Sequence, residues 1–425
     1  MTHQHLPTLM IPSETPRRAR RSLGVFWIPS LCGVSSIVLF CVFATVSLFA
    51  GLARGFAAST QSRSYQFLGH RAFSRSRSLH TRVAMASSTS EESRHSFVDI
   101  GANLLDDRYQ GVYRGTERHA SDLDAVLERA TQVGVKHVIV TAGTLEESRQ
   151  AVEFCRHWNR QRRNQQENTK KLPHFSCTVG VHPTRCAQQF TDNPKYDDES
   201  ILQLLVDIAL DGKADGTVVA VGEMGLDYDR LQFCPKDTQR TYFIRQLETL
   251  AQTTHLPLFL HNRNVGTDLY DILVKYQHCW TNGVVHSFDD SIELANQFLQ
   301  FSTDGDTANS HQLYIGLNGC SLRTEANLET VRQLPMDRLL LETDCPYCDI
   351  RATHAGHEHV QTTFPSKAEK KFQAGLAVKN RQEPCHIIQV AEVVAGVQQM
   401  DLRHVTETVY RNSLQLFGLD ERDDD

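Results

Sequence analysis

From Phe97 onward, short apolar runs rich in Val, Ile and Leu alternate with longer segments of helical period. The runs are FVDIG (97–101), HVIVTAG (137–143), HFSCTVGV (174–181), TVVAVGE (217–223), LPLFLH (256–261), GVVHSF (283–288), QLYIGLNG (312–319) and RLLLET (338–343). Strands that are apolar at nearly every position are covered on both faces, as in a parallel sheet flanked by helices. Between them, DLDAVLERATQVG (122–134), DTQRTYFIRQLETLAQTTH (237–255) and SIELANQFLQF (291–301) carry the periodicity of amphipathic helices. The alternation predicts βαβ units, and eight of them predict an α/β fold closed into a (β/α)8 TIM barrel. An open doubly wound sheet is the rival, but no GxGxxG follows the first run. RHWNRQRRNQQENTKK (156–171) and TDGDTANSH (303–311) read as surface extensions of helices or loops.

The pattern changes before residue 96. Residues 23–53 are almost wholly apolar, follow the cluster RRARR, and exceed the roughly 20 residues that span a bilayer. A stretch rich in Ser and Arg comes next and holds no acid until Glu91. The chain therefore divides into residues 1–95, a targeting leader or signal anchor expected to be disordered outside its apolar segment, and residues 96–425, the barrel domain. A signal followed by a transit sequence resembles leaders that direct proteins to plastids with extra bounding membranes, with Phe56 near the expected cleavage point; a mitochondrion is the other organelle to consider. Two alternatives stand beside this. A retained anchor would make the apolar segment the sole membrane contact, and a start at Met85 would leave a cytoplasmic or nuclear protein.

Composition narrows the partners. With a net charge of -6 the chain has no generally basic surface, so nucleic acid would have to be held at a local site, with cations. The 11 cysteines show no regular spacing, and the close pair Cys345 and Cys348 lacks the second pair of a zinc site. Reduced thiols are the expectation, with a redox CxxC as the alternative.

The barrel prediction places reactive groups where strands finish, because such barrels assemble their sites at the C-terminal ends of the strands. His182 follows the third run, Glu223 ends the fourth, His261 ends the fifth, His286 lies near the end of the sixth, and Asp344 follows the eighth. Singly, each is explained as well by helix capping or a structural hydrogen bond. Recurrence at one end of consecutive strands points instead to a metal site. Imidazoles and carboxylates suit zinc, manganese or iron and, with water, magnesium. A carboxylate such as Glu223 has two oxygens and could bridge ions about 3.5–4 Å apart.

FVDIGANL, GVHP, VGEMGLDYDR, LHNR, VHSF, NGCSLRTEAN and LLLETDCP occur in the order found in the TatD family of metal-dependent deoxyribonucleases, which the chain resembles from Phe97 to about Gly418. RATHAG (351–356) and KNRQEPCHI (379–387) place the resemblance in the eukaryotic branch. The resemblance implies a barrel metallohydrolase that cuts phosphodiesters with metal-activated water, a 3′-to-5′ exonuclease on single-stranded DNA and also RNA, with two divalent ions, magnesium foremost and manganese or zinc as alternatives. It implies that Glu223 is shared between the ions, that His261 and His286 bind one, that Asp344 binds the other, and that His182 lies near the phosphate or behind the ligands. Where many relatives carry a His-x-His pair, this chain has Gly101 and Asn103, so the ion beside Asp344 would depend on carboxylates and water, which favours magnesium.

Asn103, Asp227, Arg263 and Arg323 are candidate substrate contacts, since guanidinium groups match phosphate bidentately. For the arginines the competing reading is a salt bridge at the rim, and for Asp227 and Tyr228 it is a turn. Arg381 and Glu383 read as a structural ion pair, and DERDDD as a solvated tail. Two further functions remain open: hydrolysis of an ester, amide or aminoacyl-tRNA bond on the same metal site, and a non-catalytic barrel that binds a partner. Oligomeric state has no signature in the sequence.

Overall fold

The computed structural model describes residues 95–165, 172–302 and 311–420. The apolar leader segment, Phe56, Met85, residues 166–171 of the first polar insertion, residues 303–310 of the second and the last five residues lie outside the described residues. Among the described residues no helix is long and apolar enough to cross a membrane.

All eight predicted runs form strands: β1 (Phe97–Ala102), β2 (Val135–Val140), β3 (His174–Val179), β4 (Val218–Asp227), β5 (Leu258–Arg263), β6 (Asn282–His286), β7 (Gln312–Leu317) and β8 (Leu339–Leu341). They pair in chain order, every pair parallel. The ends of this sheet meet at a seam. Asp344 N donates to Gly101 O at 2.8 Å, Asn103 N to Cys345 O at 2.7 Å, and Asp99 accepts from the Thr343 amide (2.9 Å) and hydroxyl (2.6 Å). A buried carboxylate thus joins the first strand to the segment after the last.

Helices α1 (Leu123–Val133), α2 (Leu145–Arg163), α3 (Asp198–Ala214), α4 (Lys236–Gln246, continuing through Leu247–Ala251 to Thr254), α5 (Asp268–Lys275), α6 (Ile292–Leu299), α7 (Glu325–Gln333), α8 (Ile387–Gln398) and α9 (Leu402–Phe417) wrap the sheet. Local chemistry sets their starts: the Thr144 hydroxyl accepts from Glu147 N, and Thr324 and Asn327 form a reciprocal capping box. The first insertion begins as a continuation of α2. Val98, Ile100, Ile139, Phe259, Tyr314 and Leu340 form an inner cluster joined by Leu414 and Phe417 of α9; a larger cluster lies between strands and helices. In α9, Asn412 Nδ2 also donates to Leu339 O at 2.9 Å, beside the seam.

The polar cluster predicted from Arg381 and Glu383 is larger than a pair. Arg381 grips both oxygens of Asp122 at 2.7 Å and Glu383 Oε1 at 3.0 Å, while Arg129 Nε donates to Glu383 Oε2 at 2.8 Å. The cluster ties α1 to the segment ahead of α8.

Candidate functional site

Two strand boundaries differ from expectation where the chemistry lies. The third strand stops at Val179, three residues before His182, and the fourth runs through Glu223 to Asp227. Glu223 therefore stands inside β4, at an irregularity in the β4–β5 ladder between Val221 and Met224. The preceding peptide bond is cis, and Glu223 N donates back to Ala142 O at 2.9 Å. Gly222 has φ 143°, a conformation closed to L side chains, and a Cβ there would fall 2.2 Å from Phe259 O. Only glycine lets the strand break its ladder here and offer the acid to the mouth.

The β5–β6 register sets His261 directly beside His286. Three imidazoles converge on one carboxylate oxygen: Glu223 Oε1 lies 2.6 Å from His261 Nδ1, 2.8 Å from His286 Nε2 and 3.3 Å from His182 Nε2. The His182 ring accepts at Nδ1 from Thr184 N (3.1 Å), so its proton sits on Nε2 and points at Glu223. The capping role weighed against chemistry for His182 is thus real, and the same ring also faces Glu223.

The outer faces of the other two rings meet acids. His261 Nε2 is 3.2 Å from Asp227 Oδ2, and His286 Nδ1 is 3.6 Å from Glu342 Oε2. Carboxylates behind imidazoles fix ring orientation and raise basicity in metal sites. Asp227, expected as a substrate contact or turn residue, sits instead behind His261. Tyr228 OH donates to Asp268 Oδ2 at 2.7 Å and ties the turn to α5. Glu342 went unnoticed in the sequence, although an acid closing LLLE was its signal. It accepts from Ser287 N (2.5 Å) and Asn318 Nδ2 (3.1 Å).

Asp344, also expected as a ligand, lines the same cavity but belongs to neither of the compact groups, Glu223–His261–His286 and His182–Asp227–His261, that the described residues form. Its oxygens accept from Asn103 Nδ2 (2.9 Å) and Cys348 Sγ (3.1 Å). Asn103, a proposed substrate contact, is engaged with Asp344 and with the Thr141 hydroxyl, which donates to its Oδ1 at 2.8 Å. At Gly101 an added Cβ would lie 2.7 Å from Glu342 Oε2, so the place of an imidazole on β1 is already taken by that acid. Asp344 and Ser287 both adopt φ 50°, an uncommon conformation for non-glycine residues that clusters at functional sites.

The electrostatics are those of a site with acids in excess. Burial pushes Glu223 up, yet His286 and His182 beside it hold its carboxyl well below the ordinary range. Burial opposes protonation of His286, but Glu223 and Glu342 raise it well above a free imidazole. Asp344 is pushed up to about 6 by burial against the pull of His286, with Glu342 and Glu223 repelling its charge. Asp227 Oδ1 and Glu342 Oε2 are buried without a hydrogen-bond partner among the described residues. Ring nitrogens of His261 and His286 only 3.2 Å apart, facing one carboxylate oxygen, fit the sphere of a dication with ligand bonds of about 2.0–2.2 Å. The donor set therefore suits a metal ion.

A cavity of about 610 Å³ opens over these groups and is lined also by Arg185, Arg230, Arg263 and Arg323. Among the described residues neither Arg263 nor Arg323 enters a salt bridge; the Arg323 contact is to Cys320 Sγ at 3.1 Å. The rim-bridge reading of both arginines lapses.

The chain is similar to several known proteins. The profile of a family described as TatD related DNase matches residues 98–418. The chain is 39% identical over 327 residues to a protein of Schizosaccharomyces pombe named Deoxyribonuclease Tat-D, covering 76% of this chain and 96% of that one. It is 28% identical to a protein of Edwardsiella piscicida named 3'-5' ssDNA/RNA exonuclease TatD, covering 76% and 99%. The crystal structure of a TatD family hydrolase from Entamoeba histolytica superposes with a TM-score of 0.66 at 33% identity, covering 77% and 99%.

Proposed function

The chain belongs to the TatD family of DNases and is a metal-dependent hydrolase, and from that premise we propose that it removes nucleotides from the 3′ end of single-stranded DNA and RNA. The observation that carries this reading is the convergence of three imidazoles on Glu223 Oε1 in a cavity that also presents Arg263 and Arg323. Bound divalent cations, magnesium first among them, would supply Lewis-acid stabilisation of phosphoryl charge and acidify water. Glu223, His261 and His286 are the residues to hold one. Glu223 and Asp344, which line the same cavity, would hold a second.

The remaining groups orient and bind. His182 Nε2–H steadies Glu223, Asp227 and Glu342 hold the two imidazoles in rotation, and Asn103 fixes Asp344. Arg263 and Arg323 supply planar forks for the non-bridging oxygens of the scissile phosphate. The purified chain is expected to shorten 5′-labelled single-stranded DNA progressively in magnesium, and Glu223→Ala to leave the strand intact; equal digestion by the variant overturns the assignment. The composition of residues 1–95 supports delivery to an organelle, a plastid before a mitochondrion. A fluorescent fusion that stays in the cytosol would refute that destination.

A further inference from the structure

Cysteines rank low in the sequence, where the CPYC motif pairs Cys345 with Cys348. The fold pairs Cys348 differently. Cys320, just beyond β7, and Cys348, beyond β8, place their Sγ atoms 2.9 Å apart, less than about 1 Å longer than a disulfide bond. Cys345 is wholly buried, whereas Cys320, buried but 7% exposed, and the partly exposed Cys348 both line the mouth cavity. The backbone holds them together. A Cβ at Gly319 would fall 1.9 Å from Cys348 O, so the two loops touch main chain to main chain only because residue 319 is glycine. Cys348 itself takes φ 55°, a conformation rare for cysteine.

Each thiol also contacts a group of the site. Cys348 Sγ donates to Asp344 Oδ2 at 3.1 Å, and Arg323 donates to Cys320 Sγ at 3.1 Å. We propose that Cys320 and Cys348 form a reversible disulfide in response to hydroperoxides, and that the bond turns hydrolysis down by removing the thiol donor from Asp344 and the sulfur acceptor from Arg323. The effect on hydrolysis rests on the nuclease reading above; formation of the bond does not.

The chemistry balances. Cys320, as thiolate, attacks a peroxide oxygen and breaks the O–O bond, which leaves a sulfenic acid and releases hydroxide that takes up the thiol's proton as water. Cys348 then attacks the sulfenic sulfur, and the hydroxyl departs as a second water. Two thiols and one hydrogen peroxide give one disulfide and two waters, with two electrons passing from sulfur to oxygen. An external dithiol reverses the step by exchange. The Arg323 guanidinium, which donates to Cys320 Sγ at 3.1 Å, favours the attacking thiolate.

The full chain, reduced and then treated with hydrogen peroxide, is alkylated and mapped by mass spectrometry. The expected result is a Cys320–Cys348 linked peptide, lighter by two hydrogens and abolished by dithiothreitol. Nuclease activity is expected to fall about tenfold in step with the link and to return with dithiothreitol. Manganese binding by calorimetry, compared between reduced and oxidised protein, is expected to weaken in parallel. Cys320→Ala, referred to its own reduced state, is expected to lose this reversible response. Recovery of both cysteines unlinked overturns the disulfide. A linked peptide with unchanged manganese affinity and unchanged activity overturns the switch. Should the reduced protein digest no nucleic acid, the nuclease reading fails while the peptide map and the calorimetry still decide the pair.

Discussion

Asp227 Oδ2 lies 3.2 Å from His261 Nε2, on the edge of the imidazole opposite the one that faces Glu223. Burial raises the Asp227 carboxyl, but the hydrogen bond from His261 together with the charges of His261, Arg230 and Arg263 holds it below its ordinary range, so a charged acid sits behind the ring and commits Nδ1 to the mouth. Asp227→Asn is expected to weaken divalent-ion affinity by about 10–100-fold while the protein stays folded. Calorimetric titration with manganese checks this, and unchanged affinity removes Asp227 from the support of the site.

Glu223 is the residue on which every arm of the cluster depends. Replacement by Gln keeps the shape and removes the charge that His286 and His182 face. Activity on single-stranded DNA is expected to drop by about a thousandfold. A steady-state rate within tenfold of the parent would argue that another carboxylate carries the work.

The Asp99 clasp makes stability depend on pH. Burial, opposed by hydrogen bonds from Thr343, lifts its carboxyl to about 7 from the ordinary 3.8. The unfolded chain gives up that proton first, so the folded chain binds more protons between about pH 4 and pH 7. Stability from this group is full below the unfolded value and lost as pH rises through 7, a fall of roughly 4 kcal/mol. Urea unfolding of the parent and of Asp99→Asn at several pH values is expected to differ in slope across this window, the variant being the flatter. Parallel curves would show that Asp99 titrates elsewhere.

Arg381 is buried against Asp122 and Glu383. Truncation to Ala strands two acids with Arg129 as their remaining cation. The expected destabilisation is about 3–5 kcal/mol, read as a lower denaturant midpoint. A shift within error would mean that water replaces the guanidinium freely.

How far the sequence could be read follows from what each feature depends on. All eight strands were legible because burial on both faces leaves an unbroken apolar run, and the placing of His261, His286 and Asp344 on one cavity was legible because they end or follow such runs. The position of Glu223 inside β4 was not, since the break in the ladder is set by the approach of Gly222 to Phe259 O, a contact between strands. Asp227 stood out as a substrate contact rather than as the support of His261, because which ring atom it meets depends on how the imidazole is turned. Glu342 and the Cys320–Cys348 pair escaped because their partners come from other strands, and the nearby CPYC spacing suggested a different couple. The leader, informative in composition, lies outside the described residues.

The clasp between Asp99 and Thr343 also has a temporal side, because it joins residues 244 apart. Synthesis runs from the N-terminus, so Glu223, His261 and His286 leave the ribosome well before the segment that closes the seam and brings Asp344. An unfinished chain holds most of the site's side chains but not the ring that aligns them. Alignment of the mouth therefore waits until translation has passed the final strand.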